Sequence, residues 1–260
     1  LRTPQQIATG TAPGGARRGG ALGTVSGIRR THPPLSTRYD ADAGHDVPLG
    51  HHARPHWRGR VHLLALWLFV PAMAVLVAAA DGTRARVGCV IYAIGLCSMF
   101  AVSTAYHRWV HGLRARAAWR RADHAVIFAA IAGSATPLAL LTMAPRTGLW
   151  LVIALWAASL AGVVLKLGHW HHGDVVGTVL YFVVSALAAT TLPALGRHLG
   201  WMPVALCLAS GGLYIVGAIL FGFKRPQLRP GVFSYHESWH VFTVVAAATH
   251  FVAVWWLCVG

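Results

Sequence analysis

Residues 87–107 read VGCVIYAIGLCSMFAVSTAYH, twenty-one positions without an aspartate, glutamate, lysine or arginine. Wound as an α-helix that stretch is ~32 Å long at 1.5 Å per residue, enough to cross a hydrocarbon core of ~30 Å. In lipid a lone segment can satisfy its backbone N–H and C=O groups only as a helix. The run therefore reads as a transmembrane helix. Outward from it the pattern repeats, with apolar runs over 61–80, 123–143, 148–166, 175–194, 201–222 and 234–258. The breaks between them carry turn signals: Asp81-Gly82, Pro145 to Gly148, Gly196 to Gly200 and Lys224 to Pro230. Pro71 and Pro137 fall inside runs, which membrane helices tolerate because neighbouring groups satisfy the freed carbonyls. Gly211, Gly212 and Gly217 in the sixth run suit close helix packing. These features predict an all-α polytopic bundle of seven transmembrane helices over residues 61–258.

Composition agrees. Of the 260 residues 56% are hydrophobic and 11% charged, whereas soluble domains carry about 25% charged residues. The net charge of +15 does not indicate a nucleic-acid partner, because the basic residues sit in short connections between apolar runs. On one side lie Arg54, Arg58, Arg60, Arg108, Arg114, Arg116, Arg120, Arg121, Lys166, Lys224, Arg225 and Arg229; on the other only Arg84, Arg86, Arg146 and Arg197. Twelve against four predicts a cytoplasmic amino terminus and a carboxyl terminus outside, in a multi-pass protein of the cell membrane. Cys89, Cys97, Cys207 and Cys258 all lie in apolar runs without a C-x-x-C pair, against a disulfide framework or a thiolate zinc site. Residues 1–60 are rich in Gly, Pro, Thr, Arg and His and lack an apolar period, so they read as a disordered or extension segment. Its histidines His45, His51, His52 and His56 belong to a solvated tail on this reading.

The chemistry gathers at one end. His107 closes the second run, Asp123 opens the third, and His236 and His240 begin the seventh, with Ser103 one turn deeper than His107. The alternation of spans brings all of them to the cytoplasmic side. Residues at i and i+4 share a helix face, so His236 and His240 can both point inward. Three imidazoles with an open fourth position describe a catalytic zinc site. Asp123 can then orient or deprotonate a water, or hold a histidine ring, and Ser103 can hydrogen-bond a ligand or a substrate carbonyl. An isolated H-x-x-x-H is weak evidence, since histidine fills many roles. Ionisable groups inside membrane helices are costly and usually functional, and here separate helices agree in depth. Zinc itself is read from ligand type, which other first-row ions share. The cluster His169, His171, His172 and Asp174 reads as a solvated loop, and His62 and His111 as interfacial. Glu237 points away from the histidine pair by helical phase, toward an arginine or the surface. His250 lies ~15 Å beyond His240 along the helix, too far to share its metal, and reads as a buried hydrogen-bonding residue.

These motifs resemble the hemolysin III family, related to the progestin and adiponectin receptors and the alkaline ceramidases. The matching stretches are Ser103-Thr-Ala-Tyr-His107, Asp123-His124, Ile131-Ala-Gly-Ser-Ala-Thr-Pro137, Gly211-Gly-Leu-Tyr214, and His236-Glu-Ser-Trp-His240 with His250. Ala135 stands where the family usually has Tyr, and Ser185 where Gly is expected. The resemblance implies seven helices, a cytoplasmic amino terminus, and zinc held by His107, His236 and His240 with Ser103 and Asp123 beside it. It also supplies a substrate class: a zinc-dependent hydrolase of a lipid amide such as a ceramide, entering laterally from the membrane. Two other functions are compatible with the same residues, a lipid sensor with structural zinc and the pore-forming cytolysis of the family's name. The charge count predicts that, in intact cells, an impermeant thiol reagent labels Gly260→Cys and leaves Ala115→Cys unlabelled.

Overall fold

A computed structural model describes residues 55–168, 173–229 and 231–260. Among these, seven helical spans are long and apolar enough to cross a membrane. The helices are α1 (Arg60–Ala79), α2 (Gly82–Arg108), α3 (Leu113–Thr142), α4 (Pro145–Leu167), α5 (Gly173–Ala189), α6 (Leu192–Leu199), α7 (Trp201–Gly222) and α8 (Tyr235–Val259). Together α5 and α6 make the fifth span, Val175–Leu199. The histidines His45, His51 and His52, the cluster His169, His171 and His172, and the side chain of Asp174 lie outside the described residues.

Several boundaries differ from those expected. The arginine-rich stretch before Asp123 reads as a connection, yet it is helical from Leu113, so α3 spans 30 residues. Arg, Ala and Leu are strong helix formers, and nothing prevents such a helix from projecting beyond the hydrocarbon. Asp123 therefore lies well inside α3 and does not open it. Likewise α2 begins at Gly82, before the apolar run proper. In the fifth span the chain breaks at Thr190 and Thr191, because Pro193 at the start of α6 has no N–H to give the preceding turn. The two threonine hydroxyls donate to the carbonyls of Leu187 and Ala188, at 2.7 and 2.8 Å, beside the backbone N–H groups of the same residues. Pro71 and Pro137 sit inside α1 and α3 as expected.

Helix α3 packs against α2, α4, α5, α6 and α8, while α8 also contacts α1 and α7. One core cluster joins α1, α2, α3 and α8 around Phe69, Met73, Leu76, Tyr92, Phe100 and Val254. A second joins α3, α4 and α5 around Phe128, Ala135, Leu155 and Val184, so Ala135 is a core residue and Ser185 faces outward. The outer surface is apolar; Leu64, Trp67 and Leu68 of α1 are each more than half exposed, on the side lipid would cover. Small residues set the closest approach. A Cβ on Gly95 would stand 2.5 Å from the carbonyl oxygen of Ala129, and one on Gly88 would stand 3.0 Å from the Cα of Pro137. This seam registers α2 against α3, and so Ser103 and His107 against Asp123. In α7 only part of the glycine reading holds: Gly217 packs against Phe242 and Trp239, while Gly211 and Gly212 face open space.

Gly95→Ala must push α2 and α3 apart, at a cost of ~1–3 kcal/mol for overpacking. Its melting temperature in detergent falls below wild type, whereas Gly211→Ala, with room for the methyl group, melts no lower than wild type.

Candidate metal centre

The site begins with a helix cap. Ser234 is the N-cap of α8, and its hydroxyl accepts from the backbone N–H of His236 at 3.3 Å. Glu237 closes a capping box by accepting from the backbone N–H of Ser234 at 2.8 Å. That rigid first turn presents His236 and, one turn on, His240. His107 comes from the last turn of α2, where the negative end of the helix dipole favours a basic residue.

The three rings converge. His107 Nε2 and His236 Nε2 stand 3.2 Å apart. One nitrogen from each of His107, His236 and His240 lies within 4.8 Å of the others. His107 and His240 are 5% and 3% exposed, and His236 is half-buried. Two nitrogens bound to one tetrahedral zinc at ~2.05 Å would stand ~3.3 Å apart, so the observed 3.2 Å separation fits a shared ion. Asp123 lies beside this group and outside it, with Oδ2 at 3.9 Å from His107 Nε2. Ser103 is buried beside the Asp123 carboxylate. The Tyr181 hydroxyl donates to the carbonyl of His124 at 2.6 Å, tying α5 to α3 next to Asp123. All five candidates read from the sequence are thus brought to one place.

Other residues land elsewhere. His250 donates through Nε2 to the carbonyl of Ser134 at 3.2 Å, and its ring meets Tyr92 edge-on at 5.8 Å. His111 is exposed. His62 is not interfacial: it is 4% exposed and packed against the site. Lys166 is buried over the Tyr181 ring and is not a connection residue. The four cysteines are free and take no part in the cluster.

Residues 55–60, which composition groups with the tail, belong to the bundle. The N–H groups of His56 and Trp57 donate to the carbonyls of Gly231 and Val232, both at 3.2 Å. Arg58 Nε donates to Glu237 Oε1 at 2.6 Å, with both side chains buried. Gly59 adopts φ +74°, and a Cβ there would stand 2.9 Å from the Cβ of His107. The short segment thus packs against the end of α2 at His107 and the start of α8. Nothing local in the sequence signals the Arg58–Glu237 pair, whose members are 179 residues apart. The Ser234-Glu237 spacing, by contrast, is a capping signal that a reader of the sequence could use.

Fold and site together define a multi-pass helical membrane protein with a three-histidine cluster able to hold a metal ion. The family described as Haemolysin-III related matches residues 51–251, and the chain belongs to that family. Hemolysin-3 of Bacillus cereus is 27% identical over 196 residues, covering 74% of this chain and 86% of the relative. The Hemolysin-3 homolog of Bacillus subtilis (strain 168) is 25% identical, covering 76% and 91%. The monocyte to macrophage differentiation factor of Homo sapiens is 28% identical over 200 residues, covering 73% and 79%.

Removing one partner of a buried ion pair costs ~3–5 kcal/mol, while removing both can be close to neutral. Arg58→Met accordingly lowers the melting temperature in detergent, and Arg58→Met with Glu237→Gln melts closer to wild type than Arg58→Met alone.

Proposed function

We propose that this protein is a zinc-dependent hydrolase of a membrane lipid amide, resident in the cell membrane with its amino terminus and its histidine cluster on the cytoplasmic side. The observation that supports it is the Asp123 carboxylate, 3.9 Å from a ligand nitrogen yet not a member of the ligand group. A carboxylate at that distance can take a proton from a water at the open fourth position. His107, His236 and His240 would hold the ion, which when bound supplies a Lewis acid for a carbonyl and acidifies water.

The chain's own residues carry the rest. Asp123 accepts a proton from a water as that water's oxygen adds to the amide carbon, and returns the proton to the nitrogen as the C–N bond breaks. The products are a carboxylic acid and an amine. Ser103, beside Asp123, can donate to its carboxylate and orient it. The apolar outer surface leaves the acyl chain in lipid, while the buried cluster keeps bulk water away from the amide. The basic side of the bundle supports the cytoplasmic orientation through the positive-inside bias.

Metal analysis of the purified protein finds about one zinc per chain, lost in His240→Ala. Asp123→Ala keeps its zinc but loses ~10²–10⁴-fold in hydrolysis of a ceramide in mixed micelles. Retained metal with no effect of Asp123→Ala on any turnover would favour a lipid sensor with structural zinc. Conductance from purified protein in liposomes would favour a pore.

A further inference from the structure

A fourth histidine stands against the cluster without joining it. His62, in the first turn of α1, stacks face to face on His240, with ring centroids 3.9 Å apart and planes 8° from parallel. Phe100 meets the same ring edge-on at 5.2 Å and closes it in from the side. His62 Nε2 lies 2.9 Å from Thr243 Oγ1. Thr243 commits its single hydroxyl hydrogen to the carbonyl of His240, at 2.8 Å. Thr243 Oγ1 can therefore only accept from His62, and Nε2 is the nitrogen that carries the hydrogen. The other ring nitrogen, Nδ1, is buried with no hydrogen-bond partner.

That orphaned nitrogen is informative. A buried polar atom without a partner carries a free-energy cost. A phenylalanine would fill the same space, stack on His240 equally well and avoid that cost. What an imidazole adds is the N–H reaching Thr243, one turn along α8 from the ring it stacks upon. The two contacts form a closed loop: ring upon ring, and N–H to the hydroxyl that is itself bonded to the His240 carbonyl. The first turn of α1 is in turn anchored to α8 through Arg58 and Glu237.

We propose that His62 is a positioning residue for the metal centre, holding the His240 imidazole at the angle from which it meets His107 and His236. The proposal rests on the reading of the three histidines as a metal site. Those rings stand 5.0 and 4.8 Å from His240, centroid to centroid. Without the stack the His240 ring can turn about its side-chain bonds, and binding an ion must then order it. Groups that orient a ligand from outside the ligand set typically change metal affinity ~10–100-fold.

The test uses the full chain in detergent, with zinc affinity from competition with a chelator and the absorption spectrum of the cobalt-substituted form. His62→Ala binds zinc ~10–100-fold more weakly than wild type and shifts the cobalt bands, which report ligand geometry. His62→Phe keeps the stack but loses the tether, and Thr243→Val removes the tether from the other side. Both bind more weakly than wild type, although their metal-free forms melt with the metal-free wild type. Unchanged affinity and cobalt bands in His62→Phe and Thr243→Val would overturn the proposal and reduce His62 to a space-filling ring. Those two variants decide the matter even where His62→Ala does not fold. A wild type that takes up no metal would overturn the metal reading itself, and this proposal with it.

Discussion

The hydrocarbon interior offers no hydrogen-bonding solvent, and most of the architecture follows from that single constraint. Every backbone amide in the core must be satisfied by its own helix, so the spans are helical, with the fifth interrupted at Thr190 and Thr191. Where the helix breaks, at Thr190 and Thr191, the threonine hydroxyls take up the carbonyls of their own turn. Ionisable side chains face the same constraint more severely. Arg58, Glu237, Asp123 and the three histidines His107, His236 and His240 are therefore set against one another and gathered at one end.

Within that frame the three-histidine cluster is held from two sides. On one, the glycine seam between α2 and α3 brings the backbones close and sets Ser103 and His107 against Asp123. On the other, Pro55 to His62 lies against the start of α8 through two backbone hydrogen bonds, a buried ion pair and the ring stack on His240. Glu237 serves both the cap and the ion pair, since one carboxylate oxygen meets Ser234 and the other meets Arg58. A single glutamate thus connects the geometry of the α8 first turn to the position of α1.

Membership of the haemolysin-III related family gives these observations a setting without dictating their chemistry. The matched stretch includes the segment before α1 as well as the three histidines. That is consistent with the segment being part of the working bundle and not an appendage. Ala135 lies in the core among α3, α4 and α5, and Ser185 lies on the outer surface.

The sequence by itself determined the number and approximate place of the spans, because span length and apolarity are properties of a continuous segment. It also placed His107, Asp123, His236 and His240 toward one side of the membrane, because alternating topology assigns each helix end to a side without any knowledge of packing. Helix boundaries were less legible: the arginines before Asp123 look like a loop by charge, yet propensity carries α3 through them. Tertiary structure alone decided what surrounds the three histidines. That His62 is buried against His240, that Glu237 meets Arg58, and that Gly59 packs on His107 depend on pairs far apart in the chain. No local periodicity encodes the angle at which two helices cross, and it is that angle that turns a nearby histidine into a stacked one.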